Sequence, residues 1–285
     1  MSIFEWFGEL GIFGWQVLRA AVTPPFEFPE LFRQIDEIGA KSLPLIALTG
    51  AATGVVMALQ MHDSLTRFGA RSMLPSVIVF SLIRETGPVI AGLIAAGRVA
   101  AGIGAELGSM KVTEQIDAME VSAVDPLKYL AATRVAACIL MLPLLTLAAD
   151  FTGIILGWVA VTLRDSMPLA YFIRTGISEV GFSDFIPPTL KTAFFGFIIG
   201  MVACFFGMHT KGGTEGVGRS ATRSVVVSSL FIVASDVVLV RLISVFYPSI
   251  EQRASLSYLE VFDIAAVRRE PLPRCGLPSP GATSG

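Results

Sequence analysis

Residues Ser42 to Met61 run for twenty positions without a charged side chain. At 1.5 Å rise per residue, a helix of that length spans about 30 Å, the hydrocarbon thickness of a bilayer. Comparable runs stand near 75–105, 129–163, 188–208 and 224–247, the second and third long enough to tilt or to project beyond the hydrocarbon. With 53% hydrophobic and 15% charged side chains, against about 25% charged in soluble domains, the chain argues against a water-soluble enzyme and excludes a disordered one. The expected fold is an all-α integral membrane protein with five transmembrane helices. A net charge of −2 leaves no electrostatic footprint for nucleic acid. Cys138, Cys204 and Cys275 lie far apart, and His62 and His209 stand at span ends, so neither a disulfide framework nor a metal site is expected.

Ahead of the first span, residues 3–22 place Glu5, Glu9, Gln16 and Arg19 within about 80° of one another on a helix otherwise rich in Phe, Trp and Leu. No basic n-region and no A-x-A site accompany it, so it reads as an interfacial amphipathic helix rather than a secretory signal. Pro24 and Pro25 end it, and residues 26–41 read as a polar elbow, giving an N-terminal region 1–41 ahead of a transmembrane domain 42–248. The tail 249–285 ends in Pro-, Gly- and Ser-rich sequence expected to be partly disordered. With a cytoplasmic N-terminus, nine Lys and Arg fall in inner segments, Arg19, Arg33 and Lys41 among them, against Arg67, Arg71, Arg164 and Arg174 outside. The C-terminus then lies outside, and the four arginines of the tail weaken the bias.

Inside the second span Gly92, Ala96, Ala100, Gly104 and Gly108 recur every fourth residue, and Gly50/Gly54, Gly153/Gly157 and Gly196/Gly200 repeat that spacing. Side chains this small let helix backbones approach closely, either within the chain or at a subunit interface. The same span carries Arg84 and Glu85 about 15 Å beyond Pro75. A charge at that depth costs at least about 2.5–3.5 kcal/mol unless it is paired or hydrated. Pro88 cannot donate to the carbonyl of Arg84, so the helix is expected to bend there. Asp150, Lys191, Asp236 and Arg241 interrupt the other apolar runs, and the expected pairs are Arg84 with Asp236 and Glu85 with Lys191. These charges either specify packing or line a polar cavity.

Between spans two and three, residues 106–125 carry five acids against one lysine, with Leu107, Met110, Ile116 and Met119 at threefold spacing. A short amphipathic helix is expected here, facing the cytoplasm and stopped by Pro126. Neither GRVAAGIGAELG nor KGGTEGVGRS has the ending that cradles nucleotide phosphates, so any ATP and magnesium belong to another subunit and no cofactor is expected in this chain.

SLIRETGPVIAGLIAAGRVAAGIGAELGSMKVTEQIDAMEVSAVDPLKYL (81–130), followed by GVGRSATRSVVVSSL (216–230), resembles the MlaE/YrbE permeases of ABC transporters that move phospholipids in bacterial envelopes. The resemblance covers roughly residues 25–248 and implies a permease of the bacterial inner membrane rather than an enzyme. It implies two copies forming the transmembrane core, a cytoplasmic ABC ATPase dimer, a periplasmic MCE-domain ring and, in some systems, a STAS-domain subunit. Segment 106–125 is similar to the family's coupling helix, with Glu106, Glu114, Asp117 and Glu120 flanking the ATPase contact. Arg84, Glu85, Lys191 and Asp236 match its intramembrane charges, and Met57, Leu65 and Phe68 resemble positions that touch lipid chains at the dimer interface. The tail beyond Glu251 and the charge at Asp150 depart from that pattern. Two rival readings are an ion-coupled secondary transporter with Arg84, Glu85 and Asp236 as a proton relay, and a non-transporting membrane scaffold.

Overall fold

A computed structural model describes residues 3–24, 27–178 and 182–246, all but the last few within one compact unit, Met1–Ile243. The expected tail 249–285 lies outside the described residues. Among the described residues eight helices follow in order: α1 (Ile3–Val22), α2 (Phe28–Arg67), α3 (Arg71–Val112), α4 (Gln115–Val121), α5 (Leu127–Thr162), α6 (Leu169–Ser178), α7 (Phe182–Met208) and α8 (Gly213–Phe246). No strand occurs among the described residues. Five of them, α2, α3, α5, α7 and α8, are long and apolar enough to cross a membrane. Connections 113–126 and 209–212 lie at one end of the bundle, the foot. Those at 68–70 and 163–168 lie at the other, the head.

Of the elbow expected over 26–41, residues 28–41 are instead about the first four turns of α2, which runs unbroken for 40 residues. Pro29 falls in its first turn, where a missing N–H costs nothing, and the polar residues that follow are good helix formers. They also have a buried face. Glu30, Gln34, Ile38 and Ser42 recur every four residues and are buried, Gln34 Nε2 donating to Glu30 Oε1 at 2.8 Å. On α1, Leu10, Phe13 and Val17 turn inward while Trp15 and Ile12 are exposed beside the polar stripe. A further helix that the apolar pattern did not announce, α6, lies between spans three and four. It packs on the start of α3 through Phe172 and Gly176.

Glycine sets how closely the spans pack. A β-carbon at Gly54 would run into the carbonyl of Gly153, and one at Gly50 into that of Ala149, so α2 and α5 touch backbone to backbone. Thr152 strengthens this seam by donating to the Ala47 carbonyl at 2.9 Å. Gly196 and Gly200 bring α7 equally close to Cys138 and Val135 of α5. The stripe on α3 is used within the chain. Gly92 faces Phe195 and Ile232, Gly104 faces Ser224 and Ala221, and Gly108 faces Thr210. On α8 the matching face is Ser220, Ser224, Ser228 and Ile232, all buried, whereas Val226, Leu230, Val233 and Val237 are exposed.

Ion pairs tie the head together. His62 Nε2 lies 2.8 Å from Asp165 Oδ2, Arg71 lies 3.6 Å from the same carboxylate, and Arg164 lies 2.6 Å from Asp63. The hydrogen bond from His62 and the nearby Arg71 hold the Asp165 carboxyl below the ordinary carboxylate range. His62 is thus a cross-helix tie rather than a mere boundary residue.

Two glycine substitutions separate packing from propensity. Gly54→Ala should destabilise by about 1–3 kcal/mol through overpacking against α5. Gly11→Ala, which meets open space on α1, should be neutral or stabilising by up to about 1 kcal/mol. Thermal unfolding of the two variants in detergent checks this, and equal midpoints would contradict the α2–α5 seam.

Candidate functional site

Pro88 has no N–H to offer the carbonyl of Arg84 four residues back or that of Ile83 five back. The helix responds by widening into a π-helical turn over Leu82–Thr86, in which the Gly87 N–H bonds to the Leu82 carbonyl. The expected disturbance is therefore a widened turn, and it carries both Arg84 and Glu85. Such turns are frequent at functional sites. A second one, Ala96–Ala100, carries Arg98, and a third, Leu127–Ala132, ends two residues before Arg134.

From that first turn Glu85 reaches Lys191 of α7. Lys191 Nζ stands 2.9 Å from Glu85 Oε2 and also 2.9 Å from Asp236 Oδ1 of α8. One ammonium group thus joins three spans. The expected Glu85–Lys191 pair is present, and the expected Arg84–Asp236 pair is not. Neighbouring helix positions point about 100° apart, so Arg84 cannot share the direction of Glu85. Its guanidinium lies instead 5.1 Å from the centre of the Phe80 ring, a cation–π contact one turn back on α3. The Lys191–Glu85 contact is a hydrogen bond, while Asp236 Oδ1 is held at ion-pair distance without hydrogen-bond geometry.

The depth of the triad is set by Lys191, about 9 Å inside the Phe185 end of its span, and by Asp236, about 10 Å inside the Ile243 end. Both lie in the head-side half of the hydrocarbon. Lys191 is 1% exposed and Asp236 18%, but 41% of the Glu85 side chain is exposed on the single chain. Two carboxylates around one ammonium leave a net negative charge, with Arg84 as the nearest cation in sequence. Asp150, on α5, is buried with Oδ1 unpartnered and pressed against the α-carbon side of Gly87, immediately after the widened turn.

Nearer the foot, Arg134 is 1% exposed, with Nη2 2.7 Å from Glu106 Oε1 and Nη1 donating to the Leu130 carbonyl at 3.0 Å. Arg98 Nη1 donates to Ser42 Oγ at 2.7 Å and lines a hollow of 320 Å³ with Glu37, Lys41 and Glu106. Sequence reasoning misses both Arg98 and the buried role of Arg134. The signal was there, since each sits within one turn of an otherwise apolar run. Met57 and Leu65 are half-buried on the head-side part of α2, Leu65 against the small core around Ile78 and Phe172, and Phe68 at the end of that helix is 85% exposed.

The acidic island is not one helix over 106–125. Glu106 belongs to α3, which continues to Val112, so its carboxylate points into the bundle toward Arg134. Glu114 takes a left-handed backbone (φ 56°) that turns the chain, and only Gln115–Val121 form the short helix α4. The break falls where Thr113 bonds back to Ser109 and closes α3. On α4, Ile116 is buried, while Glu114, Asp117 and Glu120 are exposed beside Val121, which is 90% exposed. Lys111 Nζ holds Asp117 Oδ1 at 2.6 Å, fixing the angle of the short helix to α3.

Removing the shared cation should hurt more than removing one of its anions. Lys191→Met leaves two carboxylates facing each other in the bundle and should cost about 3–5 kcal/mol. Glu85→Gln, at the more exposed position, should cost clearly less. Equilibrium unfolding in mixed micelles measures both, and a smaller effect for Lys191→Met would contradict the triad.

Residues 31–242 match the family described as Permease MlaE. A probable ABC transporter permease of Rickettsia typhi is 37% identical over 236 residues, 83% of this chain and 91% of that protein. One from Rickettsia felis is 39% identical over 82% of this chain and 91% of its own. The intermembrane phospholipid transport system permease protein MlaE of Haemophilus influenzae is 30% identical over 84% of this chain and 93% of its own. By these matches, and with five helices able to cross a membrane, the chain belongs to the MlaE family of ABC transporter permeases.

Proposed function

We propose that this permease moves phospholipid between the bacterial inner membrane and a periplasmic MCE-domain partner, driven by a separate cytoplasmic ATPase dimer. The observation that carries this reading is the exposed flank of the triad. A carboxylate at the depth of Glu85 that faced hydrocarbon would cost at least about 2.5–3.5 kcal/mol, yet 41% of it is uncovered on one chain. A second copy resolves the cost by enclosing a shared chamber, with the head-side halves of α2, α3 and α8 as its walls. Such a chamber suits a diacyl lipid, which needs apolar walls and a few polar groups at fixed positions. Met57, Leu65 and Phe68 line its α2 side, and Arg84, Glu85, Lys191 and Asp236 supply its polar groups. The family membership and the phospholipid system named for the Haemophilus relative support the same class of cargo.

Force reaches the chamber through the foot, which in this reading faces the cytoplasm, as does the N-terminus. Glu114, Asp117 and Glu120 present an acidic edge beside the exposed Val121, suited to a groove in the ATPase. Because Lys111 braces α4 against the end of α3, a push on α4 is transmitted along α3 to the widened turn at Leu82–Thr86. Glu106 serves this path from inside, through Arg134, rather than at the contact itself. ATP and magnesium act on the partner. A STAS-domain subunit would dock on that partner's side of the membrane.

Two variants divide the reading into its parts. Charge reversal by Glu114→Lys with Glu120→Lys should abolish copurification of the ATPase while leaving the chain folded and dimeric. Glu85→Gln should keep the assembled complex and lower ATP-dependent transfer of fluorescent phospholipid between proteoliposomes and MCE acceptor by about tenfold or more, the scale of 1.4 kcal/mol. Full transfer by Glu85→Gln would remove the triad from the mechanism. Transfer by this chain alone under a pH gradient would favour the ion-coupled alternative.

A further inference from the structure

At the foot, the connection between α7 and α8 folds into a hollow of 220 Å³ that neither the triad nor the ATPase-facing edge uses. Gly212 and Gly213 take left-handed backbone (φ 93° and 66°), which turns the chain sharply into α8. A β-carbon at Gly216 would run into the carbonyl of Lys211, so glycine there lets the connection lie back against the first turns of the helix. Gly216, Arg219, Ser220 and Arg223 share one face of α8 by their three- and four-residue spacing. Lys211 lines the same hollow from the connection. Arg219 is held by Glu215 at 2.5 Å, while Lys211 and Arg223 make no ion pair among the described residues. Three cations therefore converge against one carboxylate. The floor is Thr210 and Ser220, whose hydroxyls already donate to the carbonyls of Phe206 (3.0 Å) and Gly104 (3.2 Å), so recognition falls to the cations.

We infer that this hollow binds the phosphate of an anionic phospholipid headgroup. Its depth decides for a lipid: Met208 ends one apolar span, and α8 turns apolar only after Arg223, so the hollow sits at the boundary between hydrocarbon and headgroups. Phe206 offers an apolar wall on the membrane side, and the exposed ends of Lys211, Arg219 and Arg223 stand toward the water. Basic pockets between membrane helices at this level select anionic headgroups over zwitterionic ones. The inference is independent of the transport reading, since it concerns a lipid held at the foot rather than one moved through the chamber.

The test uses the full chain in nanodiscs of phosphatidylcholine with a minor fraction of phosphatidylglycerol, followed by native mass spectrometry of the lipids retained after detergent extraction. Wild-type protein should retain phosphatidylglycerol above its share of the disc. R219Q/R223Q should lose that enrichment by about fivefold for each charge removed, and R219K/R223K, which keeps the charge, should retain most of it. Matching thermal midpoints show that the variants fold. Equal enrichment in wild type and R219Q/R223Q overturns the site. Binding of radiolabelled inorganic phosphate in pure phosphatidylcholine discs, lost in R219Q/R223Q and without phosphatidylglycerol enrichment, assigns a soluble anion instead and overturns the lipid. Lipid transfer plays no part in these readouts, so a failure here leaves the transport reading to its own test.

Discussion

One ammonium group shared by two carboxylates is what the membrane part of this protein is arranged around. Lys191 is almost wholly buried, and a charge so far from water has to be paired. By taking Glu85 from α3 and Asp236 from α8, it couples α3, α7 and α8. An ion pair of this kind contributes little net stability, because the cost of dehydrating each charge offsets most of the attraction. What it supplies is registry: sliding any one of the three helices by a turn would strand a charge in hydrocarbon.

The same helices differ in how firmly their backbones are fixed. Along the α2–α5 seam the chains touch through Gly50, Gly54 and Gly153, a contact with little room to shift. α3, by contrast, holds two widened turns, and α8 lies on it through serines and small residues rather than interlocking large ones. The rigid α2–α5 pair and the looser α3–α8 pair are joined through α7, which packs on α5 and carries Lys191. Asp150 stands between the two, its carboxyl packed on Gly87 where α3 resumes its regular turns.

Much of this was legible from residue types. Long apolar runs with few charges marked all five spans because a bilayer allows few other solutions, and glycines at four-residue spacing marked the close seams. The pair Glu85–Lys191 followed from the rule that intramembrane charges need partners. The choice between Arg84 and Lys191 as the partner of Asp236 did not follow, because it depends on the direction in which each side chain leaves its helix. Composition misled at two places. Polar residues over 26–41 looked like a connection although Glu30 and Gln34 face inward, and the acidic stretch 106–125 looked like one helix although Glu114 turns the chain within it. Helix α6 was hidden because its ten residues are too short to show a membrane-like run.

The central claim is that the exposed flank of Glu85 faces a chamber between two copies and not the surrounding lipid. Incorporating a photo-crosslinking amino acid at Ser81, half-buried one turn before Glu85 on the same side of the helix, and irradiating the complex in a bilayer reports what covers this flank. A chamber predicts crosslinks to the second copy and capture of phospholipid that changes when the ATPase binds ATP. Lipid capture that is independent of nucleotide, with no crosslink between copies, would place the triad against the bulk membrane and contradict the claim.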